Sequence, residues 1–375
     1  MASGNHIQTL LIGATILALA GIGGNAGQIQ AAALPFNNMV VFGDSLSDNG
    51  NLLTIAPPLE QYFPQYASEI ASSLPDTANN YANGEFTDGA NTSPSTSILG
   101  LWDEQFASQL GLPALVPALA SNFVMNYELS GGYSLNKGGN NFAVAGSVSG
   151  NTITNSSTGT FQAGMATQVA AFNSQHTSGV IPSSSLYAFW GGANDILDAP
   201  SGSTSTTLNT IATTAADNIY GYINNLAGEG GKYFLWINLP PLGATPEGTG
   251  NASALNAAAV AFNSEQSLDI GKILAAHSDV KVISVNAYAL FTQLVADPSA
   301  YDFTNVTQPA QGNTGVNPDN YLFWDSLHPT TAADKLLAQA AAADTFASVT
   351  PEPATLLLLA LGALVGLTLR PRRRI

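Results

Sequence analysis

Cysteine is absent from all 375 residues, which excludes disulfides, thiolate nucleophiles and thiolate metal sites together. Basic residues are nearly as scarce, with nine Lys and Arg against 25 Asp and Glu. The arginines are Arg370, Arg372, Arg373 and Arg374, all within the last six residues. Residues 34–349 therefore keep Lys137, Lys232, Lys272, Lys281 and Lys335 against 24 acids, a net charge of −19, because Glu352 is the one acid outside that span. A field of that sign repels nucleic acid and anionic lipid, so neither is expected as a partner. Charged residues make up 9% of the chain and apolar ones 45%, so Asn, Ser, Thr and Gln must cover the surface. Such a surface suits an exported protein.

The two ends differ from the body. Residues 1–33 combine a polar start, the apolar run Leu10 to Gly24 and the small-residue site Ala31-Ala32-Ala33. This reads as a secretory signal peptide, although its first residues carry His6 and no Lys or Arg. Residues 349–375 hold Pro351-Glu352-Pro353, an apolar stretch from Ala354 to Leu369 and the arginine cluster. That order predicts a short transmembrane segment whose arginines stay in the cytoplasm.

Between the ends no solenoid-type repeat or charge run divides the chain, so residues 34–348 read as one domain. Short β-branched and aromatic runs predict strands at Met39–Phe42, Phe142–Val144, Leu186–Trp190, Tyr233–Asn238 and Val280–Val285. Helical segments are expected at Leu101–Leu110, Gly164–Gln175, Thr206–Leu226, Ala252–His277 and Thr331–Ala347, with Asn49–Asn136 as loops and short helices. Thr152–Thr160 reads as an exposed loop. Alternating strands and helices favour an α/β fold, a three-layer α/β/α sandwich around a parallel sheet of about five strands. Ligands bind at the carboxyl ends of such strands. Gly43-Asp44-Ser45, Ala145-Gly146-Ser147, the run Gly191 to Asp195 and the run Leu239 to Gly243 each follow a predicted strand, all on one rim.

A serine hydroxyl needs an imidazole base and a carboxylate to orient it. Beyond the leader the chain offers three histidines. His176 and His277 end helical segments in polar surroundings and read as surface residues. His328 stands in FWDSLHPT, three residues after Asp325, a spacing that turns carboxylate and imidazole to the same side. Asp44 and Asp48 flank Ser45 without further ligand-type residues at suitable spacing, so they read as turn formers, with no metal and no cofactor expected. Asp195 is expected to hold the Asn194 loop, and the prolines of Leu239–Pro246 to form a rigid wall of the cleft. The Gly-x-Ser-x-Gly elbow of α/β-hydrolases is absent around Ser45.

The blocks FGDSLSDNGN, GGNNFAVAGS, GGAND and DSLHPT occur in the order of the GDSL lipase and acylhydrolase family within the SGNH hydrolase superfamily, which residues 38–346 resemble. The resemblance implies a flavodoxin-like sandwich in which Ser45 is the nucleophile and Asp325 with His328 completes a triad. It also implies oxyanion donors at the Ser45 and Gly146 backbones and the Asn194 amide, the Gly146 register being fixed to within one residue. The segment from Asn83 to Gly89 departs from the family's Gly-Arg-Phe pattern by carrying Glu85 in the arginine position. The C-terminal order Pro-Glu-Pro, apolar helix, arginines resembles the PEP-CTERM sorting signal of Gram-negative bacteria. That implies an exosortase as processing partner, transient membrane association and delivery to the cell surface or outside. A permanent anchor is the alternative. The expected activity is cleavage of a small-molecule, lipid or glycan ester through an acyl-enzyme. The alternatives are an acyltransferase or polysaccharide deacetylase using the same site, and a non-catalytic matrix protein.

Overall fold

The computed structural model of the chain describes residues 34–349 except 63, 83, 91–95, 122–134, 152, 156–158 and 162. The expected leader and the C-terminal apolar segment lie outside the described residues. Among the described residues no helix is long and apolar enough to cross a membrane.

The chain opens with strand β1 (Asn38–Gly43) and the helices α1 (Asn51–Tyr62), α2 (Ala67–Ser72) and α3 (Trp102–Gln109). A hairpin, β2 (Ile153–Asn155) and β3 (Gly159–Phe161), leads to α4 (Met165–Ser174). Then follow β4 (Ser185–Trp190), the short α5 (Ala193–Leu197), α6 (Ser205–Gly228), β5 (Tyr233–Ile237), α7 (Ala252–Ala276), β6 (Lys281–Val285) and α8 (Ala287–Ala296). The chain continues through β7 (Asn305–Pro309) and β8 (Tyr321–Phe323), a separate parallel pair, into α9 (Thr331–Val349).

The central sheet is parallel with strand order β1-β4-β5-β6. Every residue of β4 is buried, as a strand covered on both faces requires. Side chains alternate between the two faces. Val40, Phe42, Tyr187, Phe189, Phe234 and Trp236 join one core with residues of α4, α6 and α7, including Phe172, Ile219, Ile223, Ala258 and Phe262. Phe42 and Phe189 stack there with centroids 4.9 Å apart. Met39, Val41, Ala188, Leu235 and Ile283, offset by one residue, are equally buried on the side where α3 and α9 pack together. These are the three layers the sequence implies.

The sheet holds four strands rather than about five. The segment expected as the second strand does lie parallel to β1: Val41 N–H donates to Asn140 O (2.9 Å), Phe142 N–H to Val41 O (2.8 Å) and Val144 N–H to Gly43 O (3.2 Å). Its outer edge meets the backbone at Asn141 alone, where Asn141 N–H donates to Val116 O (3.0 Å) and Ala118 N–H to Asn141 O (2.8 Å), and side chains take the rest. Asn51 Nδ2 donates to the carbonyls of Asn141 and Ala143, both at 2.8 Å, and Asn141 Oδ1 accepts from Ala143 N–H at 2.9 Å. Asn51 Oδ1 meanwhile accepts from Leu119 N–H at 2.9 Å. Side-chain amides thus cut the outer ladder short after a single bridge at Asn141. Thr152–Thr160, expected as a loop, contributes to the β2–β3 hairpin, whose β-branched and aromatic residues suit paired strands.

The three amide contacts of Asn51 are all inside the protein, where an unmet donor or acceptor costs about 1–3 kcal/mol. Replacing Asn51 with alanine is therefore expected to lower stability by at least about 3 kcal/mol in urea unfolding, whereas an exposed amide such as Asn313→Ala should change it by less than about 0.5 kcal/mol.

Candidate active site

The rim at the carboxyl ends of β1, β4 and β5 collects the marked segments. Ser45 sits two residues beyond β1 and is 8% exposed, enough for its hydroxyl to reach a cleft. The turn that carries it is fixed from several sides. Gln168 Oε1 accepts from Gly43 N–H at 3.0 Å and its Nε2 donates to Gly43 O at 2.8 Å. Asp44 Oδ1 accepts from Leu46 N–H, Trp102 Nε1 donates to Ser47 Oγ at 3.0 Å, and Asn141 Nδ2 donates to Ser47 O at 2.7 Å. Asp44 and Asp48 do shape turns, as expected. Asp48 does more: Oδ1 accepts from Gly50 and Asn51 N–H at 2.9 and 2.6 Å, while Oδ2 accepts from Leu52 and Ala145 N–H at 3.0 and 2.8 Å. It caps α1 and pins the segment that leads to Gly146.

His328 comes to Ser45 from the loop before α9. Its Nε2 is 2.8 Å from Ser45 Oγ and its Nδ1 is 2.7 Å from Asp325 Oδ2. The three-residue spacing closes a tight turn in which Asp325 Oδ1 accepts from the backbone N–H of Leu327 and His328, both at 2.7 Å. This is one line of hydrogen bonds from carboxylate through imidazole to hydroxyl. His176 and His277 bond elsewhere, to Phe172 O and to Asn224 Oδ1 at the ends of α4 and α7.

Gly146 lies half-buried on the same rim with φ of +77°, a left-handed conformation that a side chain disfavours. The neighbouring Ala145 N–H is committed to Asp48. Asn194 occupies the first turn of α5, and its amide donates to Ser147 O at 2.9 Å, which leaves the second Nδ2 hydrogen for the cleft. Asp195 holds that turn as anticipated, its two oxygens accepting from Ser149 N–H (2.8 Å) and Ser149 Oγ (2.6 Å).

The cleft beside Ser45, Asn194 and His328 is walled by Trp190, Pro240, Pro241, Leu242, Phe291 and Leu327. The proline segment after β5 is thus part of the wall. Among the described residues neither lysine nor arginine lines it. Glu85 lies elsewhere, beside Asp88 and Glu104 in a separate cavity under Lys335.

Burial would raise the Asp325 pKa, but the charge and hydrogen bond of His328, with two backbone N–H groups, bring it down to about 2. Burial would likewise lower that of His328, yet Asp325, Asp44 and Glu247 raise it above its ordinary 6.5. Burial, helped by the charge of Asp195, pushes Asp44 up to about 7, against the pull of Leu46 N–H and His328. The signs follow by linkage. The raised His328 value contributes stability below pH 6.5 that fades as pH rises through the folded value. The depressed Asp325 value contributes stability above its ordinary 3.8 that is lost as pH falls toward 2.

Tyr81 and Gln168 are neighbours of this site that the sequence reading did not single out, while Phe86, Asn51 and Asn141 lay inside its marked blocks without an assigned role. Tyr81 O–H donates to Asp325 Oδ2 at 2.8 Å, and the Phe86 ring stacks on His328 at 4.8 Å. For Asn141 a signal existed, a paired asparagine entering an apolar run, and for Phe86 the family pattern around Glu85; Tyr81 sits in an irregular segment without one.

Comparison with known proteins follows the same lines. A model of the GDSL-like lipase/acylhydrolase family matches residues 39–341, and the PEP-CTERM protein-sorting motif matches residues 349–374. A GDSL esterase/lipase of Arabidopsis thaliana is 26% identical over 339 residues, covering 80% of this chain and 85% of the relative. Another from the same plant is 23% identical over 327 residues, covering 80% and 88%. The crystal structure of the lipase/acylhydrolase from Enterococcus faecalis aligns with 57% of this chain and 78% of its own at 16% identity, with a TM-score of 0.30.

Because carboxylates surround His328, its ring protons followed by NMR should titrate with a midpoint above 6.5. In Asp325→Asn the burial effect is left less opposed, and the midpoint is expected to fall below that of the parent.

Proposed function

This chain belongs to the GDSL-like lipase/acylhydrolase family, and from that premise we propose that it is a serine esterase splitting carboxylic esters through an acyl-enzyme on Ser45. The observation that carries the reading is the continuous bonding from Asp325 to His328 to Ser45, at 2.7 and 2.8 Å. Ser45 Oγ attacks the ester carbonyl as its proton passes to His328 Nε2, and Asp325 stabilises the imidazolium. The carbonyl oxygen becomes an oxyanion facing the N–H groups of Ser45 and Gly146 and the free amide hydrogen of Asn194. Assigning Gly146 rather than Ala145 is supported by the Ala145 N–H being taken by Asp48. Collapse breaks the carbonyl–alkoxy bond, and the departing alkoxide takes the proton from His328. Water repeats the sequence and frees Ser45.

The acyl group is assigned to the apolar cleft between Trp190, Pro241, Leu242 and Phe291. With Asp44 and Glu247 as the nearby charges, neutral acyl chains fit and carboxylated ones are repelled. Export rests on the PEP-CTERM motif, which supports surface association in a Gram-negative bacterium. We assign residues 1–33 to a cleaved leader and residues 349–375 to a segment removed by an exosortase. The same motif favours a second reading in which a glycan hydroxyl replaces water as acceptor. Product analysis with an added glycan separates the two, since transfer leaves the acyl group on the sugar.

Ser45→Ala is expected to abolish ester hydrolysis and labelling by a fluorophosphonate; retention of most activity would sink the assignment. Asn194→Ala should reduce kcat by about 10²–10³, the usual loss for one oxyanion donor. On p-nitrophenyl esters of growing chain length, kcat/KM should rise about fourfold per methylene until the cleft is filled, at about 0.8 kcal/mol for each CH₂ buried. A flat series would remove the acyl group from that cleft.

A further inference from the structure

The carboxylate of Asp325 has about four lone-pair positions, and four donors meet them. Leu327 and His328 N–H occupy Oδ1, and His328 Nδ1–H shares Oδ2 with the hydroxyl of Tyr81. Three of those donors belong to the loop that carries Asp325. Tyr81 is the fourth and comes from 244 residues away in the chain. It sits just after a short turn, with its N–H bonded to Asp76 O at 3.0 Å and with Asn80 before it in a left-handed conformation. Gln311 Nε2 braces the same turn through Asn79 O at 3.1 Å. The Tyr81 ring meets Phe86 edge-on at 5.3 Å, and Phe86 in turn stacks on the His328 imidazole with an interplanar angle of 29°. One irregular segment therefore touches both members of the acid–base pair.

We propose that Tyr81 is a positioning residue of the ester-cleaving site, its hydroxyl locking the Asp325 carboxylate and moderating how strongly that carboxylate holds the imidazolium of His328. The inference rests on the esterase reading above for its kinetic consequences. The phenol can serve in this way because it stays protonated: burial, with the Asp325 charge beside it, raises its pKa further above the ordinary 10.0. Tyr81 is thus a donor across the working pH range. Sharing Oδ2 has two effects. Rotation of the carboxylate is blocked, which keeps Nε2 aimed at Ser45. The charge on Oδ2 is also divided between two donors, so the imidazolium gains less from it than from a carboxylate without the phenol. Without the hydroxyl, His328 would hold its proton to higher pH.

The test is Tyr81→Phe in the full chain, which keeps the ring against Phe86 and removes one oxygen. With a p-nitrophenyl ester, kcat is expected to fall about tenfold, in line with loss of one hydrogen bond to a charged group, while KM stays within about twofold. The acid limb of the kcat/KM profile should move to higher pH by about half a unit. The His328 NMR titration should move the same way, and the thermal unfolding midpoint should hold within a few degrees. A purely structural role would lower the unfolding midpoint and leave both pH profiles in place, and that outcome overturns the proposal, as does an unchanged kcat with unchanged profiles. If the parent protein neither hydrolyses esters nor reacts with a fluorophosphonate, the esterase reading fails separately. The His328 titration in Tyr81→Phe then still decides the coupling: a shift upward keeps it, and no shift ends it.

Discussion

Asp48 is the point where the turn that carries Ser45 and the segment that leads to Gly146 are made one body. Its two oxygens take four backbone N–H groups, three from the start of α1 and one from Ala145, across 97 residues of sequence. Ser45 is three residues upstream of this carboxylate and Gly146 one residue downstream of its far partner. A buried carboxylate with four N–H donors is held firmly, because each is worth more to a charged acceptor than to a neutral one. Burial nevertheless pushes its pKa up to about 6, against those donors, so the clamp is strongest in neutral and alkaline solution. The separation between Ser45 and Gly146 follows from this brace and from the Asn51 amide beside it.

The charge balance of the chain has a second consequence inside the fold. With five lysines for 24 acids in residues 34–349, most buried carboxyls have no cation to meet. They are handled in two ways. Asp88 and Asp195 are met by Thr331 and Ser149 through backbone N–H and hydroxyl groups. Glu85 is raised to about 9 by burial and by Glu104, so it keeps its proton at neutral pH, while burial and neighbouring carboxylates lift Asp103 and Asp334 well above the ordinary range. The formal −19 thus overstates the field of the folded body. Asp325 is the exception among the deeply buried acids, brought down to about 2 by the imidazole.

The alternation of short β-branched runs with helix-length segments was legible because the sheet is parallel and covered on both faces, which forces continuous apolar strands. Helices such as Ala252–Ala276 matched their expected bounds to within a residue. Two kinds of feature were not legible. Helix α1 hides behind Pro57 and Pro58, and its first turn forms because Asp48 caps it, a tertiary arrangement as much as a local one. The expected strand at Phe142–Val144 has strand composition, but beyond the bridge at Asn141 its outer edge is taken by the Asn51 and Asn141 amides, which no periodicity reveals. For the site, Ser45, Asp325 and His328 were marked by motif and spacing, since the Asp–His link is local. Tyr81 and Phe86 reach His328 and Asp325 across more than 240 residues, and their own neighbourhood carries no period or capping signal.

The same scarcity of cations bears on how an oxyanion could be met here. Among the described residues neither lysine nor arginine lines the cleft, and the ionisable groups that act on His328 are acids. A lysine or arginine introduced at the rim would find Asp44 or Glu247 closer than any substrate and would be spent on them. Backbone N–H groups and the Asn194 amide cannot be captured in that way, because each already has its geometry set by a partner inside the fold: Ala145 by Asp48, Asn194 by Ser147, and the α5 turn by Asp195 on Ser149. Neutral dipoles held rigidly in an apolar cleft stabilise a developing charge without attracting a resting one. An acidic body is therefore compatible with the proposed oxyanion donors, because those donors are amides.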